Sequence, residues 1–173
     1  MNRKLSVKKQ TSHKVIIFWS MIGFLTLVFI TAIIILFINS RSARSFDDIR
    51  NLYEDEIFQK TGSYYVYVYS KIDEKADLDK AEELEELIVT YMTYAKRNSD
   101  AQRIYGMNAD SYRNKSAVQE NATTSVVNKT RFADLVIGKE DIPILMLIEN
   151  NRVKSVYKTE KEIREVLENA MNP

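Results

Sequence analysis

The chain has 173 residues, of which 45% are hydrophobic and 28% are charged, and its formal net charge at pH 7 is +1. It has no cysteine and a single histidine, His13, which excludes disulfides, thiol chemistry, a Ser-His-Asp triad and cysteine or histidine zinc sites from the region after that residue. All 24 acidic residues lie in the region 39–173 with 20 of the 25 basic ones, so this region carries −4 and is a poor candidate for binding nucleic acid or anionic lipid.

The run Val15–Ile38 is apolar and uncharged. It exceeds the roughly 20 residues that a helix needs to cross the bilayer hydrocarbon. It is also longer than the roughly 7–15 residues of the apolar part of a cleaved signal peptide. The residues that follow it are polar and include Arg41 and Arg44, without a small-residue cleavage pattern. We therefore predict an uncleaved transmembrane signal anchor.

The charges that flank this run predict its orientation. The residues before it carry five basic side chains and no acid, whereas basic and acidic residues are mixed after it. Because an excess of lysine and arginine marks the cytoplasmic side, residues 1–14 are predicted to be cytoplasmic and the C-terminal part to lie outside the cytoplasm. A spacer, 39–45, then leads into one extracytoplasmic domain, 46–173. The basic residues of the tail are Arg3, Lys4, Lys8, Lys9 and Lys14.

The first half of the domain predicts a helix, a strand, a helix and a strand. Apolar residues recur at helical spacing over Phe46–Lys60. Tyr64–Tyr69 is aromatic and β-branched throughout, which is typical of a central strand covered on both faces. A polar connection, Ser70–Ala76, leads to a helix that Asp77 caps and that ends near Asn98. Arg103–Met107 then gives a weaker strand signal.

The second half predicts an irregular excursion followed by a helix, a hairpin and a last helix. Residues 110–125 are polar and poorly patterned, and apolar residues between 126 and 136 suggest a short helix. Ile144–Ile148 is a second apolar strand, which turns into a hairpin with Val153–Tyr157. A capping box at 159–162 begins the final helix. The fold class expected from this order is α/β, with a central sheet flanked by helices after the transmembrane helix.

Three of these segments resemble the thioredoxin family. The strand Tyr64–Tyr69, its loop and its long helix resemble the segment that presents the family's redox motif. Asp141–Leu147 resembles the family's cis-proline loop and strand, with Pro143 as the candidate cis residue. The last hairpin and helix resemble the family's closing elements. The layout is similar to membrane-anchored thioredoxin-like accessory proteins of Gram-positive bacteria, including the bacteriocin transport accessory group.

The chain departs from this family at its redox motif. The alignment places Asp73 and Ala76 at the two positions of the C-x-x-C pair, and neither side chain supports thiol chemistry. The resemblance therefore implies a protein that is not an enzyme and needs no cofactor, but that keeps an edge where relatives lay an extended polypeptide. The predicted partner-binding residues are Ser70, Lys71, Ile72, Asp73, Glu74, Lys75, Ala76, Ile142 and Pro143.

Several of these features have a plainer interpretation. Asp73, Glu74, Asp77 and Asp79 offer oxygens to a divalent cation, but their spacing matches no cation-binding loop, so a helix start beside a solvated loop is preferred and no metal is predicted. The tyrosines are interpreted as core residues first and as a partner surface second. Pro143 is either a cis residue or an ordinary proline at the start of a strand.

The sequence therefore predicts a single-pass membrane protein that displays a redox-inactive thioredoxin-like module outside the cytoplasm. The module is expected to bind a protein of the cell envelope, as an accessory of an envelope, secretion or transfer apparatus. The alternative is a structural anchor subunit, in which the transmembrane helix and the helix predicted over Phe46–Lys60 carry the contacts. The sequence predicts no nucleic-acid partner and does not identify the oligomeric state.

Overall fold

The computed structural model describes residues 12–40, 43 and 45–172. The chain divides into two compact units, whose boundary lies between Arg41 and Ser42. The first unit contains helix α1 (His13–Ser40). The main elements of the second unit are β1 (Ser63–Tyr69), α2 (Leu78–Arg97), β2 (Arg103–Asn108), β3 (Val118–Gln119), β4 (Ile137–Gly138), β5 (Ile144–Glu149), β6 (Arg152–Tyr157) and α3 (Glu160–Met171).

Helix α1 is long and apolar enough to cross a membrane. Its segment His13–Phe37 has 25 residues and a mean hydropathy of 2.6, and its apolar stretch is not buried inside the protein. The hydroxyls of Thr26 and Thr31 donate to carbonyls one turn earlier in the helix, at 2.9 and 2.8 Å, which satisfies both groups within an apolar helix. The predicted tail up to residue 11, and Arg41, Ser42 and Arg44 of the predicted spacer, lie outside the described residues.

The second unit is built on a four-stranded sheet with the order β2-β1-β5-β6. Strand β1 is parallel to β2 and antiparallel to β5, and β5 is antiparallel to β6. The predicted α/β class and the central position of the first strand are therefore confirmed. A separate two-stranded parallel sheet joins β3 to β4.

Strand β1 is buried on both faces, as its sequence predicts. Its tyrosines at 65, 67 and 69 pack with apolar residues of α2 and α3, whereas Tyr64, Val66 and Val68 pack in a second apolar cluster on the opposite face. The alternation follows from the two-residue period of a strand. Each of the four tyrosines is at most 5% exposed, so these tyrosines belong to the core.

The helix predicted over Phe46–Lys60 is wrong. The segment forms two short 3-10 helices, Phe46–Asp48 and Glu54–Phe58, separated by extended residues. Asn51 forms a parallel bridge with Gly106 of β2. Phe46 belongs to the apolar cluster that contacts the helices, whereas Leu52 belongs to the cluster on the opposite face. The chain thus crosses the edge of the sheet here, and its apolar residues fill two layers instead of one stripe of a helix.

The short helix predicted between residues 126 and 136 is also wrong. Only a 3-10 turn, Phe132–Asp134, forms there. Ser125 and Val136 pair in an antiparallel bridge. The buried residues of this segment, among them Phe132 and Leu135, cover the face of the sheet opposite to the helices. These residues are therefore buried without forming a helix.

The other predicted helix and hairpin signals are confirmed. The carboxylate of Asp77 accepts a hydrogen bond from the backbone amide of Lys80 at 3.0 Å and so caps α2. The β5–β6 hairpin turns through Asn150 and Asn151, whose φ angles are 50° and 57°. The side chain of Thr159 and that of the residue three positions later form the predicted capping box of α3.

Candidate functional site

The candidate site lies where β1 and β2 end. Because these two strands are parallel, their carboxyl ends lie at the same edge of the sheet, and the segments that follow them face each other there. The loop 70–76 follows β1, and the irregular segment 109–120 follows β2. The predicted partner-binding loop therefore has a wall opposite to it.

A carboxylate from the second segment fixes the loop. The hydroxyl of Ser70 donates to one oxygen of Asp110 at 2.6 Å, and the backbone amide of Lys71 donates to the other oxygen at 2.8 Å. The Ser70 oxygen in turn accepts from the backbone amides of Ile72 and Asp73, at 3.3 and 2.9 Å. The short pair between Ser70 and Asp110 therefore sets the backbone of the crest of the loop.

Two lysines and two acids tie the other half of the loop to its surroundings. The ammonium of Lys139 lies 2.7 Å from Asp73 and 3.1 Å from Glu120, and that of Lys75 lies 2.8 Å from Glu120. The hydrogen bond from Lys139 holds the pKa of Asp73 below its ordinary value. Lys75 first and Lys139 second lower the pKa of Glu120. The two lysines and the two acids thus form a charge-balanced cluster.

The loop and the segment 109–120 enclose a groove of about 870 Å³. Its apolar surface comes from the loop and from the opposite wall. The side chain of Ile72, at the crest, is 77% exposed, which sets it apart from the buried apolar residues of the sheet. A surface of this composition suits the binding of an extended chain with both apolar and polar side chains. The residues that line the groove are Ile72, Asp73, Glu74, Lys75, Ala109, Asp110, Lys115, Ser116, Val118, Glu120 and Lys139.

The predicted site residues fall into three classes of exposure. Lys71, Ile72, Glu74 and Lys75 are exposed, and Asp73 is half-buried. The ammonium of Lys71 is engaged by Asp47 at 2.7 Å. The residues whose side chains are buried, and are therefore withdrawn from the surface, are Ser70, Ala76, Ile142 and Pro143.

The proline loop does lie beside the loop 70–76. The backbone amide of Asp77 donates to the carbonyl of Ile142 at 2.9 Å. The Ile142–Pro143 peptide bond is cis, which is the first of the two interpretations of Pro143 given above. The ammonium of Lys80 donates to the carbonyls of Asp141 and Lys158, at 3.3 and 3.1 Å, and burial lowers the pKa of this lysine. The start of α2 is thereby joined to the proline loop.

Several residues of the groove were missed at the sequence level, namely Asp110, Glu120 and Lys139. Asp110 was open to prediction, since it follows a strand parallel to β1 and the carboxyl ends of such strands meet. The other two residues lie in an irregular segment and a 3-10 turn, and no periodic pattern places these residues beside the loop.

Two of the four acids at the start of α2 have partners within the protein. Asp73 binds the lysine at 139, and Asp77 caps the helix. Within residues 12–40 and 45–172, no three histidine, aspartate or glutamate side chains are grouped so that they could hold a metal ion.

Comparison with known proteins returned no match to any family model, and no curated protein sequence matches the chain.

Proposed function

We propose that this chain is a membrane-anchored, redox-inactive thioredoxin-like module that binds a polypeptide partner outside the cytoplasm. The observation that carries the proposal is the exposure of Ile72, a residue that is 77% exposed at the crest of a loop fixed by hydrogen bonds. An apolar side chain held in this way offers surface to a partner at a low entropic cost, because its backbone is already ordered.

The thioredoxin-like character of the module is supported by three segments in one sheet. Strand β1, its loop and α2 lead by a crossover to the parallel strand β2. A cis-proline at 143 precedes β5 and lies beside the start of α2. The β5–β6 hairpin and α3 close the domain. These are the three segments on which the resemblance to the family depends.

The absence of redox chemistry follows from the sequence. The chain has no cysteine, and Asp73 and Ala76 occupy the aligned positions of the redox pair. Asp73 is bound to Lys139, and Ala76 is buried. The loop 70–76, which occupies the position of the redox motif, therefore has a structural role, and we assign to it the recognition of the polypeptide partner.

The location of the module is proposed from α1 and its flanks. A helix of this length and hydropathy suits a membrane anchor, and the basic residues before it favour a cytoplasmic N-terminus. The chain lacks cysteine, so single cysteines introduced at Ser6 and at the exposed Glu82 of α2 make a clean test. We expect a membrane-impermeant maleimide to label intact cells at position 82 and not at position 6. The reverse labelling would contradict the orientation.

Site-specific photo-crosslinking of the full-length protein in its native membrane tests the binding role. A photoreactive amino acid replaces Ile72, and a matched variant carries it at Val127, which is 45% exposed and does not line the groove. We expect position 72 to yield a small set of crosslinked envelope proteins that position 127 does not. Equal products at both positions, or none at position 72, would refute the groove as the binding surface.

Crosslinking in α1 separates this proposal from the structural-subunit alternative. If a photoreactive residue at Leu25 captures a partner while position 72 captures none, the transmembrane helix carries the contacts. Replacement of residues 15–38 by an unrelated apolar helix checks this outcome. Crosslinking at position 72 that persists in the chimera supports the module. Loss of that crosslinking despite normal membrane insertion supports the structural subunit.

A further inference from the structure

A second and smaller pocket lies at the opposite end of β2 from the groove. Its volume is about 220 Å³. It is formed by the last turns of α2, the start of β2 and the segment that follows the first 3-10 helix. Met92 and Ile104 supply apolar surface, and Arg50, Lys96 and Arg103 supply positive charge. We refer to this feature as the cationic pocket.

The charge of the cationic pocket is opposite to that of the domain. One acid, Asp48, lines it together with the three cations, so its lining carries +2, whereas the region 39–173 carries −4. The side chains of Arg50, Lys96 and Arg103 form no ion pair with any described residue, while Asp48 has an interaction of its own. A net charge of +2 around one small pocket favours an anionic ligand.

Regular structure holds the backbones of these cations in place. The carbonyl of Arg50 accepts from the amide of Gly106 at 3.0 Å, and the Gly106 carbonyl accepts from the amide of Leu52 at 2.8 Å. Arg103 begins β2, and Lys96 lies in the last turn of α2. A ligand that bridges these exposed side chains therefore has to order the side chains but not their backbones, which reduces the entropic cost of binding.

We propose that the cationic pocket binds a phosphate group, either free phosphate or the phosphodiester of a lipid headgroup. Two arginines offer the forked donors that match phosphate oxygens, and the lysine adds a point charge. The volume is below the roughly 300 Å³ at which sites for larger organic ligands begin, which favours a small oxyanion. This inference is independent of the proposed function, because none of the cations lines the groove.

Thermal unfolding of the full-length protein in micelles of a nonionic, phosphate-free detergent tests the site. Near-ultraviolet circular dichroism is a suitable signal, since all ten tyrosines follow residue 52 and the single tryptophan lies in α1. At sodium phosphate tenfold above the dissociation constant, we expect Tm to rise by about 4–6 °C relative to sodium chloride of equal ionic strength. In Arg103→Gln, a roughly tenfold weaker affinity reduces the rise to about 1–2 °C.

Two further comparisons decide the source of the phosphate and the specificity of the effect. Lys161→Gln is the matched control, since Lys161 is exposed on α3 and has no ion pair among the described residues; it should show the full rise in Tm. A rise on addition of phosphatidylglycerol to the micelles, without a response to free phosphate, assigns the site to a lipid headgroup. Equal rises in wild type, Arg103→Gln and Lys161→Gln reveal only general salting-out by phosphate. That result, or no rise in either arm, overturns the proposal.

Discussion

Two tyrosines of β1, one on each face of the strand, test how hydrogen bonding of a buried hydroxyl affects stability. Tyr64 is 1% exposed, and its hydroxyl donates to the carbonyl of Ile57 at 2.8 Å. Tyr67 is 0% exposed, and its hydroxyl has no hydrogen-bond partner among the described residues. Burial first, and the nearby Glu85 second, raise the pKa of Tyr67, so its hydroxyl keeps its proton at neutral pH. The two side chains thus differ in hydrogen bonding rather than in burial.

The same substitution should therefore have opposite effects at the two positions. Tyr64→Phe leaves the carbonyl of Ile57 buried without its donor, which costs about 1–3 kcal/mol. Tyr67→Phe removes a polar group that was desolvated without compensation, so we expect no loss, or a gain of about 1 kcal/mol. The free energies of unfolding of the two variants should differ by about 1–4 kcal/mol.

Urea unfolding of the full-length protein in neutral micelles, followed by the near-ultraviolet circular dichroism of the tyrosines, measures this difference. The slope of the free energy against urea should be the same in both variants, so that the midpoints compare directly. If Tyr67→Phe lowers the free energy of unfolding as much as Tyr64→Phe does, the hydroxyl of Tyr67 has a partner and our account of this face of the sheet is wrong.

Three further predictions concern the supports of the fold. Asn114 is fully buried and hydrogen-bonds three backbone groups, so Asn114→Ala should cost about 3 kcal/mol in urea unfolding, whereas the exposed Asn169→Ala should cost almost nothing. Burial raises the pKa of Asp141, but hydrogen bonds, one of them from Lys158, outweigh it, so the folded-state pKa is low. The stabilising contribution of this carboxylate is present above the unfolded pKa of about 3.9 and is lost as pH falls through the folded value. In thermal melts from pH 7 to 3, the amount by which Asp141→Asn lowers Tm should therefore shrink below about pH 4. Thr159→Ala removes the cap of α3 and should lower the free energy of unfolding by about 1 kcal/mol.

The sequence predicted the elements whose pattern is local. The aromatic run of β1, the apolar stripe and cap of α2, and the capping box of α3 each determine their own conformation with little help from the rest of the chain. The helix predicted over Phe46–Lys60 was wrong for the opposite reason. Its apolar residues recur at helical spacing, but Ile49 and Leu52 lie on opposite faces of the sheet, and the bridge to Gly106 that turns the chain is a contact with a distant residue.

The candidate site was predicted only on one of its sides. The loop 70–76 could be located because it joins a clear strand to a clear helix. Its opposite wall comes from residues 109–120, which have no periodic pattern, and its charges are balanced by Lys139 from a third segment. The buried state of Pro143 was not predictable either, because it depends on how these separate segments pack around the start of α2.

The groove and the cationic pocket lie at opposite ends of β2, which makes their effects separable. Strand β2 runs from Arg103, at the cationic pocket, to Asn108, next to the groove, a distance of about 16 Å at the usual rise of a strand. Substitutions that are more than about 7–10 Å apart and share no partner usually add. With the photoreactive residue placed at Lys115, which is exposed and lines the groove, Ile72→Ser should therefore abolish crosslinking without changing the rise in Tm with phosphate, and Arg103→Gln should do the reverse. In the double variant both losses should appear unchanged. A phosphate-dependent change in crosslinking at the groove would contradict this independence and would mean that β2 couples the two sites.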